Sequence, residues 1–113
     1  MATRRLDQDE LETYFNRIAK ALGIRSVEIE VTSLAVGDQI EADWIGMMNI
    51  SYDPKGDAID ISTDRLDHRI LHPKVVYVLE GDEGLEAIEV ERDDGTKEIV
   101  RLRAPLLLTG PAA

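Results

Sequence analysis

The chain has 113 residues, with 13 Lys plus Arg against 23 Asp plus Glu, a formal charge of −10 and no cysteine. That length fits a single domain over 1–113 whose core buries roughly 65% of the unfolded surface, so folding needs no metal or disulfide staple. Without cysteine there is no disulfide framework, thiolate metal site or thiol nucleophile, and a cytoplasmic location is expected.

Between residues 8 and 22 the apolar positions Leu11, Tyr14, Phe15, Ile18, Ala19 and Leu22 recur at steps of three and four, the spacing of one helical face. Asp7 and Glu10 have the spacing of a capping box, Leu6 can staple onto Leu11, and Gly23 supplies a left-handed stop, which predicts a helix over 8–22. The period then changes to two. Val27, Ile29 and Val31 alternate with Glu28, Glu30 and Thr32, the pattern of a half-buried strand. The phase slips at Ser33, where Leu34 and Val36 become the apolar positions and a bulge or bend is expected.

Gly37-Asp38 turns the chain into Ile40, Ala42 and Trp44, and Gly46 marks a second bend before Met48, Ile50 and Tyr52. Asp53-Pro54-Lys55-Gly56 is a turn, because proline presets the second position and glycine frees the fourth. Ile59 and Ile61 form a short strand, Val75 to Leu79 another, and Gly81 to Gly84 separates that from the run Leu85 to Arg92. Asp93-Asp94-Gly95 suits a hairpin loop with a left-handed glycine, which sets Arg92 against Thr96, Glu91 against Lys97 and Ile88 against Val100. Connections this short favour hairpins. The expected fold is α+β, one N-terminal helix packed on a mainly antiparallel sheet of six or seven strands over about 26–103, able to curl into a roll or incomplete barrel. Residues 1–5 read as a free end and 104–113 as a C-terminal tail.

Both histidines lie in Asp64-Arg65-Leu66-Asp67-His68-Arg69-Ile70-Leu71-His72-Pro73. In a helix, Asp64, His68 and His72 would form one stripe; in a strand, His68, Ile70 and His72 would share a face, and Pro73 biases His72 away from helical geometry. Asp64, Asp67, His68 and His72 are therefore the candidate polar or metal site, for a divalent cation such as zinc, manganese or nickel; no other cofactor is expected. The competing reading has Leu66, Ile70 and Leu71 anchoring a connecting segment while Asp67 and His68 bond to backbone. No glutamate lies between the histidines to act as the base of a zinc peptidase motif.

Trp44, Met48 and Tyr52 form the candidate ligand pocket, set against plain core filling. Leu106, Leu107 and Leu108 form the candidate interface, because three successive leucines cannot all face one side of a sheet. Covering by a second copy competes with packing of the tail over the sheet edge. No serine occupies a nucleophile elbow and no glycine cluster makes a phosphate-binding loop, so no catalytic residue is assigned. Nucleic acid is repelled by the negative charge, whereas a basic protein partner would be steered toward it. The apolar runs fall far short of the roughly 20 residues that cross a bilayer. Acids follow Arg4-Arg5 where an export signal needs apolar residues, so no targeting peptide is expected.

The stretch Ser51-Tyr52-Asp53-Pro54-Lys55-Gly56-Asp57-Ala58-Ile59, followed by Leu66-Asp67-His68-Arg69-Ile70 and His72-Pro73, resembles a family of small bacterial proteins known as a domain of unknown function. The match runs from the helix to Leu107, and its more specific parts are the Leu-Asp-His-Arg-Ile and His-Pro pieces. The resemblance implies a bacterial, intracellular protein and transfers no activity, cofactor or catalytic residue. The expected function is that of a small acidic non-enzymatic binding or accessory protein able to form a homodimer. A divalent-metal protein or metal-dependent enzyme built on the histidine segment is one alternative, and a small-molecule binder around Trp44 the other.

Overall fold

The computed structural model describes residues 2–21, 25–33 and 37–108. Leu22 and the Gly23 stop, the phase slip at Leu34 and Val36, and the tail from Thr109 onward lie outside them. The helical periodicity is realised as a 3-10 turn, Gln8–Glu10, running into α1, Leu11–Ala21. Glu10 reaches back to accept the Asp7 backbone N–H at 2.9 Å, the capping-box bond its spacing predicts. Leu11, Tyr14, Phe15 and Ile18 are buried along one face of α1, which packs on the long strand of the sheet.

That sheet has eight strands rather than six or seven: β1 (Ala2–Leu6), β2 (Arg25–Ser33), β3 (Gly37–Asp53), β4 (Ala58–Thr63), β5 (Asp67–Leu71), β6 (Pro73–Gly81), β7 (Gly84–Arg92) and β8 (Lys97–Leu106). Every neighbouring pair is antiparallel, in the order β1-β6-β7-β8-β2-β3-β4-β5. The two extra strands are the ones whose sequence hides them. Residues 2–5, expected to be free, pair together with Leu6 against β6 as an edge strand, and their arginines are the charges that protect such an edge. The histidine segment, for which the sequence leaves helix, strand and connection all open, is the other edge strand, paired with β4. Ala104, Pro105 and Leu106, assigned to the tail, belong to β8.

The β7–β8 hairpin has the expected register, with Glu91 opposite Lys97 and Ile88 opposite Val100. Gly95 at φ 87° closes it, and the Arg92 N–H donates to the Thr96 carbonyl at 2.8 Å. The bend expected at Gly46 falls instead at Trp44, where φ is 52° and the β2–β3 register slips between Ile45 and Ala42. Inward residues of the strands and the apolar face of α1 make one core, including Phe15, Ile18, Ile29, Met47, Ile50, Ile61, Ile88 and Val100. Among the described residues no helix is long and apolar enough to cross a membrane.

Only His72 separates β5 from β6, although these strands stand eighth and second in the sheet. Such a connection is possible only if the sheet bends round on itself at that end. A flat sheet would put β5 about 19 Å from β8, four strand spacings away. Instead, a β5 side chain touches one on β8.

Candidate functional site

The contact is between the histidine ring and a carboxylate that alternation carried inside. Glu98 shares the inward phase of β8 with Val100 and Leu102 and is 1% exposed. Its Oε1 lies 2.5 Å from Nε2 of His68, and its Oε2 lies 3.4 Å from Nη1 of Arg92 on β7. Arg92 in turn donates to Asp94 in the hairpin loop at 2.8 Å. A buried carboxylate needs such partners, because leaving one unpaired costs about 1–3 kcal/mol or more. The trio thus fastens the edge strand β5 across the core mouth to the β7–β8 hairpin.

His72 makes a second, separate pair. It takes φ 54°, and its backbone N–H donates to the Asp57 carbonyl at 2.8 Å while its own carbonyl accepts from Asp93 at 3.1 Å. Asp57 is also left-handed, at φ 48°. Its carboxylate lies 3.5 Å from His72 Nδ1 and accepts the Tyr52 hydroxyl at 2.7 Å; the Gln8 side-chain amide donates to that hydroxyl at 2.6 Å. Burial first, and then the bond to Asp57, raise the Tyr52 hydroxyl above its ordinary 10.0. Non-glycine residues at positive φ persist where the surroundings hold them, and here two turns and a corner hold each other.

The four metal-site candidates are therefore not assembled as either sequence reading arranges them. His68 and His72 have different carboxylate partners, while Asp64 and Asp67 are exposed on the β4–β5 connection and at the start of β5. The helical stripe does not form because these residues are a strand, and the shared strand face ends at Leu71, before the turn in the backbone at His72. Among the described residues no group of three or more His, Asp or Glu is arranged to hold a metal ion.

Trp44, Met48 and Tyr52 are also separated: Tyr52 is in the corner network, Met48 is 53% exposed, and Trp44 lies elsewhere, against Arg103. Trp44 borders a groove on the outer face of the sheet, opposite α1. One hollow of about 250 Å³ is lined by Thr3, Tyr77, Leu79, Ala87, Glu89, Ile99 and Arg101. A second, of about 320 Å³, shares Leu79, Ala87 and Arg101 and continues to Trp44, Glu86, Arg103 and Pro105. The second hollow exists because β8 bulges: two steps along β7, Leu85 to Ala87, face five along β8, Leu106 to Arg101. Pro105 fits there, having no N–H to give to a ladder.

The guanidinium groups at this groove differ. Arg101 Nη1 lies 2.8 Å from both Glu28 and Glu30, and the bond to Glu30 does most to hold its proton above the ordinary range. Arg103 stands over the Trp44 ring, 5.5 Å from its centroid, with no ion pair among the described residues. Of the three leucines, Leu106 is buried, Leu108 packs partly on the core and Leu107 is 63% exposed.

Residues 2–111 match the model of a family of unknown function, DUF5335. The chain belongs to that family. An uncharacterized protein of Aquifex aeolicus (strain VF5) is 37% identical to it over 109 residues, covering 96% of this chain and 98% of the relative. No solved structure matches the chain.

In this DUF5335 chain the residues missed from sequence were the partners rather than the histidines. Glu98 could have been found: it is an acid in the apolar phase of a strand, which demands a buried partner. Asp57 and Arg103 carry no such signal, since one acts through a turn conformation and the other through a bulge that alternation does not reveal.

Proposed function

We propose that the protein is a non-enzymatic binding or accessory protein whose working surface is the outer groove at Trp44. The observation that carries this reading is the pair of hollows joined through Leu79, Ala87 and Arg101, a largely apolar cleft left uncovered on the face away from α1. Both histidines are occupied as fasteners of the corner, which favours binding over catalysis. On this reading the sheet is an incomplete barrel, filled by α1 and the core side chains and offering its outside to ligands. The cysteine-free, acidic composition fits a cytoplasmic protein, with the negative field steering basic partners.

The test is titration with the neutral apolar dye N-phenyl-1-naphthylamine. The native chain is expected to bind it saturably and Ala87→Glu, which puts a charge on the groove floor, to bind it at least tenfold more weakly with an unchanged melting temperature. No saturable binding by the native chain contradicts the reading.

Self-association is a second reading, favoured by the exposed Leu107 at the end of β8. Sedimentation should then show a dimer that Leu107→Glu converts to monomer; a native monomer at all concentrations removes it.

A further inference from the structure

The groove has an apolar floor and, at one end, a guanidinium held against an indole ring. Of the eight arginines whose side chains are described, Arg4, Arg69, Arg92 and Arg101 have a carboxylate partner, and Arg5, Arg17, Arg65 and Arg103 have no ion pair among the described residues. Arg103 lies over the face of Trp44, so the ring fixes its plane and leaves its N–H edge for another acceptor. Glu86, the acid on the same rim, has its carboxylate where a Cβ on Gly81, the last residue of β6, would stand. Away from Arg103 the floor is Leu79, Ala87, Ile99 and Tyr77, and Ile99 to Arg103 measures about 13 Å at the rise of a strand.

Resting on the groove as the binding surface, we infer that its ligand is a small linear amphiphile with an anionic head, of the class of a medium-chain carboxylate. The head pairs with the Arg103 guanidinium beside Trp44, and the alkyl chain lies along Leu79 and Ala87 toward Ile99 and Tyr77. Glu86 and Glu89 also line the groove and Arg101 is matched by Glu28 and Glu30, so the anion is selected at Arg103 alone: a cationic head there would meet the guanidinium directly, and a neutral head would leave its donors with water. The same chemistry is offered by a free acid and by the surface of an anionic bilayer. A protein of charge −10 repels both, but it meets one charge on a free acid and a whole field of them on a bilayer, so the ligand is the free molecule.

Trp44 is the chain's one tryptophan, so its emission reports on the site directly. The full chain is titrated with decanoate, decanol and decyltrimethylammonium below their micelle concentrations. Decanoate should change the emission saturably and bind at least roughly tenfold more tightly than the other two. Arg103→Gln, at an exposed position, should remove that preference while leaving the melting temperature unchanged. Equal affinity for the three, or a preference surviving in Arg103→Gln, overturns the anion selectivity. If decanoate fails while the neutral naphthylamine dye still binds, the inference falls and the groove stands; if both fail, both fall. Co-sedimentation with phosphatidylglycerol vesicles would overturn the assignment to a free molecule.

Discussion

Glu98 is the residue that ties the edge strand β5 to β8. An acid that is 1% exposed, held by His68 at 2.5 Å and by Arg92 at 3.4 Å, is stabilising only while its partners remain. His68→Ala should therefore destabilise by about 1–3 kcal/mol, roughly 4–12 °C in melting temperature for a chain of this size. The double change His68→Leu, Glu98→Leu should recover most of that loss, because it removes the orphaned carboxylate together with its partner. A single mutant as stable as the native chain would show the contact to be idle. Asp53 gives a pH prediction of determinate sign. The Gly56 backbone N–H first, and then Arg69, hold its carboxyl below the ordinary 3.8. A carboxyl depressed in the folded state adds stability that is fully present above the unfolded value and is lost as pH falls through the folded one. The penalty of Asp53→Asn should thus be seen at pH 7 and shrink below pH 3.8, compared by thermal melts of both proteins.

Among the elements, helix α1 and the β7–β8 hairpin were legible because each relies on local rules. Period, capping box and loop glycine all lie within a few residues of what they determine. β1 and β5 were not, since an edge strand carries polar residues by necessity and β5 turns a histidine inward to meet an acid thirty residues away. The site followed the same division: the types of residue were visible, their partners were not. Gly84 shows an element-level constraint of this second kind. At φ 123° it lets the end of β8 approach, and an added Cβ would run into the Leu106 carbonyl and the Leu107 nitrogen. Gly95, at φ 87°, has open space around its Cβ position. Gly84→Ala should accordingly cost more than the ~1 kcal/mol of backbone strain expected for Gly95→Ala, measured by urea unfolding of the two variants. Equal penalties would mean that β8 does not approach the turn so closely.

For the molecule as a whole, the edge strand β5 is brought round to β6 by a single corner residue, one face is filled by α1, and the other is left for the groove. The net charge of −10 works against this compactness, because like charges on a small domain repel. Raising the salt from about 0.01 M to 0.15 M shortens the screening length from about 30 to 8 Å, so the melting temperature at pH 7 should rise. A fall would mean that surface ion pairs outweigh self-repulsion. Whether one face is packed and the other binds is read by amide chemical-shift mapping with decanoate. Movement should be confined to Leu79, Ala87, Arg101, Arg103 and the Trp44 indole. Movement centred on Asp57, His68 and His72 would contradict this, making the corner rather than the groove the working surface.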